Sequence, residues 1–170
     1  MTFATPESLI IADASPLIGL AKISRLGILH GLAREVWIPR AVWLEVTVGA
    51  CGRAEAEELV SHLLGAVRDV DPALTVKFGR QVDPGEAAAV ALATTSPGCL
   101  LLIDDAAGRR LAESEGIRCI GAAGLLLRAK RTKLIPSLAT DLSALRAHGY
   151  FLSDRLVGQL LAAAGEGLLE

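Results

Sequence analysis

At 170 residues the chain fits one domain and is long enough to bury a single core. Hydrophobic residues make up 52 % and charged residues 21 %, which excludes a disordered tail. A formal charge of −2 excludes a molecule-wide positive field for gathering polyanions.

The first element is a short apolar run, Ser8-Leu-Ile-Ile-Ala ending at Asp13, the pattern of a strand buried on both faces. Ser15-Pro16 reads as N-cap and first residue of a helix through about Ser24. Glu35-Val-Trp-Ile-Pro39 is a second strand, followed by a helix to roughly Val48 and a break at Gly49–Gly52. Arg53 to Leu64 is amphipathic, and Ala66 to Val70 a third strand. Asp83-Pro84-Gly85-Glu86 opens an Ala-rich helix ending near Thr95. Cys99-Leu-Leu-Leu-Ile103 is the strongest strand signal, closed by Asp104-Asp105. A helix then runs to Glu115, with Gly116 as its C′ glycine. Arg118–Ile120 is a brief strand, Ala122–Lys130 a helix, and two helices (137–147 and 154–164) close the chain.

Strands alternating with helices predict an α/β fold, a mostly parallel sheet with helices on both faces. No repeat or long linker divides the chain, so a single domain over 1–170 is expected, with a C-terminal helical extension at about 137–165. Cys51, Cys99 and Cys119 are odd in number and share no short spacing; they frame neither disulfides nor a zinc site and suit a reducing compartment. The N-terminus lacks a basic stretch and no apolar run reaches membrane-spanning length, which predicts a cytoplasmic protein. A mean hydropathy of +0.46 predicts an apolar patch covered by a second subunit or a partner.

The acids carry the chemistry. In an open parallel sheet the carboxyl ends of the strands share one edge, where sites form. Asp13 and Asp104 each end a buried strand and should emerge there. Glu86, in the first turn of the helix before the Cys99 strand, and Glu45, in the helix after the Trp37 strand, can reach the same rim. Carboxylates so gathered repel one another unless a hard dication, Mg²⁺ or Mn²⁺, neutralises them. Such an ion acidifies a water and stabilises a leaving oxygen, which suits phosphodiester hydrolysis. Each acid also has a plainer explanation. Asp83 and Glu86 make a capping box, one of Asp104 and Asp105 caps the next helix, and Glu45 is an ordinary exposed helix glutamate. Asp13, ending so apolar a strand, is the hardest to explain away.

These residues resemble the PIN-domain family: Asp13-Ala14-Ser15 closing the first strand, Glu45 after Ile38-Pro39, Glu86 opening a helix and Asp104 closing a later strand. Asp83-Pro-Gly-Glu86-Ala-Ala, Leu101-Leu-Ile-Asp-Asp105, Ile120-Gly-Ala-Ala-Gly-Leu125 and Gly149-Tyr-Phe-Leu-Ser-Asp154 are similar to a longer prokaryotic subgroup. The resemblance runs from about Leu9 to Ala164. It implies a Rossmann-like three-layer fold and Mg²⁺ or Mn²⁺ held by acids. It further implies cleavage of single-stranded RNA, often by the toxin of a toxin–antitoxin pair. Carried over by position, Asp13, Glu45, Glu86 and Asp104 are the catalytic acids, and Asp13, Glu86, Asp104 and Asp105 the metal set. Ser15 is then expected to orient Asp13 or a metal-bound water. Glu86 stands where many small PIN toxins carry Asp, and the chain continues past the usual end of the fold. RNA, an antitoxin protein and a second copy of the chain are the expected partners.

Two basic clusters are candidates for RNA phosphates. Arg109-Arg110 lies just past the acid pair, with Arg109 favoured; Arg128, Lys130, Arg131 and Lys133 otherwise simply complement a helix C-terminus. Gly121 to Gly124 lacks dinucleotide-motif spacing, and Ser15 has no histidine partner, since His30, His62 and His148 are scattered. Trp37 and Trp43 read as core or interface. A haloacid-dehalogenase-like phosphatase would want an acid at Ser15. A non-catalytic scaffold that binds RNA or protein is the other alternative.

Overall fold

The computed structural model describes residues 6–51 and 53–167; Gly52 of the sequence-expected break and both ends of the expected domain lie outside them. The apolar runs form β1 (Glu7–Ala12), β2 (Ala33–Pro39) and β4 (Leu100–Leu102), joined by the short β3 (Val67–Arg68) and β5 (Arg118–Ile120). The strands form one five-stranded sheet in the order β3-β2-β1-β4-β5, every neighbouring pair parallel. The chain builds outward from β1 to β3, then returns to add β4 on β1's other side. The topological switch point therefore lies between β1 and β4.

Side chains alternate across the sheet, as the two-residue strand period requires. Ile10, Ala12, Val36, Ile38, Leu100 and Leu102 enter one core. Against that face lie α1 (Ala14–Lys22), α2 (Ile28–Leu32), α3 (Arg40–Ala50), α4 (Glu55–Leu63), α8 (Ala122–Arg131), α9 (Leu138–Ala147) and α10 (Asp154–Ala164). Ile11, Leu101 and Ile103 enter the second core, covered by α5 (Pro72–Phe78), α6 (Pro84–Thr94) and α7 (Ala106–Ser114). Ile10 and Ile11 are wholly buried on opposite faces, each stabilising the fold by about 1.5–3 kcal/mol. This is the three-layer α/β arrangement that the alternation of elements requires.

Local chemistry moves several boundaries. The expected N-cap Ser15 lies inside α1, which starts at Ala14 with Asp13 at the capping position. Pro16 is tolerated there because first-turn N–H groups have no intrahelical partner. β3 pairs through only two residues, Val67 and Arg68, since a 3₁₀ turn (Leu64–Ala66) uses the start of the expected strand. The unexpected α2 is five residues long, too short to show a period. α5, also unexpected, had a legible start: Asp71 accepts from Ala73 N at 2.8 Å and Pro72 is its first residue.

The basic run from Arg128 serves the fold. Arg128 pairs with Glu7, which also holds Arg118. Lys130 pairs with Glu166, and Arg131 donates to the Ala163 carbonyl. Glu7 begins β1, so Arg128 sits at the sheet edge opposite Asp13, roughly 20 Å away along six extended residues. Trp37 packs on the second core with Arg68 stacked over it, and Trp43 packs on the first. Among the described residues no helix is long and apolar enough to cross a membrane.

Candidate functional site

The ends of β1 and β4 deliver the first two acids. The Asp13 amide donates to the Leu102 carbonyl at 2.9 Å, so the chain stays in sheet register up to the point where Asp13 leaves it. Asp13 is 4 % exposed, has an extended backbone and makes no side-chain capping hydrogen bond to α1. The Ala14 N–H partly offsets the burial of this carboxylate, but no later N–H of the first turn is capped by it. Two residues past β4, Asp104 accepts from Ala122 N, at the start of α8, at 3.2 Å.

Helices bring the other acids to the same cleft, a hollow of about 500 Å³ whose walls include Asp13, Glu45, Asp83, Glu86, Asp104 and Asp105. Glycines let the acids approach. A methyl group on Gly85 would lie 2.6 Å from Glu45 Oε2 and 3.7 Å from Asp13 Oδ1, so these two carboxylates face one point across the start of α6. A methyl on Gly108 would meet Glu86 Oε2 at 3.5 Å, and one on Gly121 would meet Asp104 Oδ1 at 2.5 Å. Glu86 also accepts from Asp83 N at 3.4 Å, a long bond that holds it only loosely. Asp105 both lines the cleft and caps α7, its Oδ1 accepting from Ala107 N at 2.7 Å and Gly108 N at 3.0 Å.

The electrostatics follow from burial and crowding. Burial, together with the charges of Glu86, Glu45 and Asp104, pushes the Asp13 carboxyl up to about 7. Burial also raises Glu45, with Asp83 adding repulsion, and Glu86, with Asp105 foremost among its like-charged neighbours. Asp104 is raised by burial against the opposing pull of Tyr150, Ala122 N and Arg109. All four groups would gain from a cation.

Tyr150, to which the sequence reading assigned no role, is part of the site. Its hydroxyl donates to Asp104 Oδ2. Burial and the Asp104 charge hold this phenol far above its usual range, so it remains a protonated donor. Gly149, at φ 83°, supplies the left-handed turn after α9. Tyr150 N then bonds back to Leu145 O and Gly149 N to Arg146 O, the Schellman pattern. Gly19 of α1 leaves room for the ring, since a methyl there would lie 2.7 Å from Tyr150 Cε2. The readable signal was the Gly149-Tyr150 pair after a helix.

The two supporting residues lie in different places. Ser15 is exposed on the cleft wall with its hydroxyl beside the Tyr150 phenol. Arg109 donates to the Ile103 carbonyl at 3.3 Å and lies beside Asp104, behind the acids and off the cleft walls.

Among the described residues no three His, Cys, Asp or Glu side chains converge closely enough to clasp one ion. The donor set nevertheless suits a hard dication: it is all oxygen, half-buried and mutually repelling. Mg²⁺ takes one or two carboxylates directly and fills its other positions with water or phosphate oxygen, so a three-acid clasp is not required.

A family model for the PIN domain matches residues 9–166, and the chain belongs to the PIN-domain family. PIN domains are generally nucleases and typically use divalent metals. Among curated proteins, none matches this sequence.

Proposed function

We propose that the protein is a Mg²⁺- or Mn²⁺-dependent endoribonuclease that hydrolyses phosphodiester bonds of single-stranded RNA, as the toxin of a cytoplasmic toxin–antitoxin pair. The carrying observation is Asp13: a buried carboxylate at the switch point, uncapped, raised to about 7 and faced by three other acids. Such a group is costly to the fold unless a cation offsets it. One or two of Asp13, Glu86, Asp104 and Asp105 would hold the ion directly and the others through its waters, with Glu45 at the margin. A bound dication supplies an acidified water and a charge that stabilises the leaving oxygen. Tyr150 and Ala122 N keep Asp104 oriented and favour its ionised form. The single-strand preference and the toxin role rest on the family resemblance.

A second copy is the proposed protein partner besides an antitoxin. Leu44 and Val48 on α3 and Val60 on α4 are 55 %, 74 % and 43 % exposed, apolar side chains that a monomer leaves wet.

The test is incubation of labelled single-stranded RNA with Mn²⁺, beside Asp13→Asn. Cleavage by the parent that is lost in the variant supports the reading. Binding without cleavage, independent of metal, would favour the non-catalytic scaffold.

A further inference from the structure

A second hollow, of about 260 Å³, adjoins the acidic cleft and shares Ser15, Glu45, Gly149 and Tyr150 with it. Its character differs. Lys22, in the last turn of α1, and His148, at the C-terminal cap of α9, line it. Lys22 has no ion-pair partner among the described residues, whereas Arg128 and Lys130 are consumed by Glu7 and Glu166. The two hollows thus form one track that passes from the six acids of the cleft, over the Ser15–Tyr150 wall, to an unpaired ammonium.

A polyanion crossing an acidic cleft needs a cation within one nucleotide of the reacting phosphate. This protein has no net positive charge to supply it from afar. Arg109 is turned to the Ile103 carbonyl, and the basic run of α8 lies at the opposite sheet edge. We propose that the hollow beside Lys22 is a subsite for the backbone phosphate of the nucleotide flanking the scissile bond. Lys22 supplies the charge, and the Ser15 hydroxyl lies on the wall between the two phosphates. The inference rests on the nucleic-acid reading of the cleft and adds to it the direction in which the strand leaves.

The probe is a fluorescein-labelled single-stranded RNA octamer, its binding followed by anisotropy in Ca²⁺ to suppress cleavage, across a series of salt concentrations. Lys22→Met keeps the aliphatic stem and removes the charge; Lys22→Arg keeps the charge. Lys22→Met is expected to bind about 3- to 10-fold more weakly and to lower the slope of log affinity against log salt by about 0.7, one single-strand phosphate contact. Lys22→Arg is expected to retain both. A purely structural role would weaken binding without moving the slope. Parental affinity and slope in Lys22→Met, or no RNA binding by the parent chain, overturns the subsite. Cleavage in Mn²⁺, measured separately, distinguishes the two readings. Lys22-dependent binding without cleavage sinks the nuclease and leaves the subsite standing; cleavage with an unaltered Lys22→Met sinks the subsite alone.

Discussion

Tyr150 donates its hydroxyl to Asp104 across 46 residues of sequence, which makes the C-terminal helical extension a wall of the acidic cleft. The bond favours ionised Asp104, the form a cation needs. Tyr150→Phe keeps the ring in the space that Gly19 leaves and removes only the donor. The fold should survive with a loss of about 1 kcal/mol. RNA cleavage should fall by about tenfold, with its acid limb moved to higher pH because Asp104 then ionises later. An unchanged pH–rate profile would remove Tyr150 from the site.

Gly85 offers a way to separate stability from activity. An alanine methyl there would lie 2.6 Å from Glu45 Oε2, the far end of a flexible side chain that can swing aside. Gly85 is the second residue of α6, where alanine still gains over glycine, by up to about 0.5–1 kcal/mol, chiefly by restricting the unfolded chain. Gly85→Ala should therefore melt at or slightly above the parental temperature while losing much of its cleavage, because Glu45 has left the point it shares with Asp13. Full activity with Mn²⁺ would show that Glu45's placement is immaterial.

How Asp13 was legible and Tyr150 was not has a physical reason. An acid ending an apolar strand is a local anomaly, visible in six residues, and parallel pairing follows from alternation of elements. Tyr150's role depends on one adjacent and one distant glycine. Gly149 turns the chain and could be read locally, but Gly19 vacates a volume on α1 that cannot be paired with Tyr150 from a single sequence. The fold partners of the basic run at Arg128 were hidden for a similar reason. Glu7, and the Ala163 carbonyl and Glu166 at the end of α10, which occupy it, come from two segments far from it in sequence. α2 was missed because five residues carry no period, whereas Asp71-Pro72 at the head of α5 was a readable start passed over.

Proton and metal should compete at Asp13. Its carboxyl is at about 7 in the folded protein against 3.8 as a model group. Between those values the folded chain keeps a proton that the unfolded chain releases. The stability linked to this group is complete below about pH 4 and is lost as pH rises through 7. Glu45, Glu86 and Asp104 shift in the same direction. In EDTA, the melting temperature should thus fall between pH 5 and about pH 8, and Asp13→Asn should flatten that fall. Mn²⁺ should raise the melting temperature more at pH 8 than at pH 5.5, since it replaces protons. Equal metal stabilisation at both pH values, read by scanning fluorimetry, would place the ion elsewhere.

The extension itself is held by Arg25 and Asp141. Asp141, 3 % exposed near the start of α9, accepts from Arg25 Nε at 2.8 Å and Nη2 at 3.1 Å. Removing one partner of such a pair leaves a charge without its counterpart. The Arg25 side chain is 32 % exposed, so solvent recovers part of the cost and Asp141→Ala should lose about 2–3 kcal/mol. For a chain of this size each kcal/mol is about 2–4 °C in melting temperature. Because α9 carries Tyr150 into the cleft, cleavage should weaken even where the variant is fully folded. The double variant Arg25→Met, Asp141→Leu replaces the pair with apolar groups and should recover most of the stability. If it recovers stability and activity together, the clamp acts only by docking α9; if activity stays low, Arg25 contributes charge to the substrate path as well.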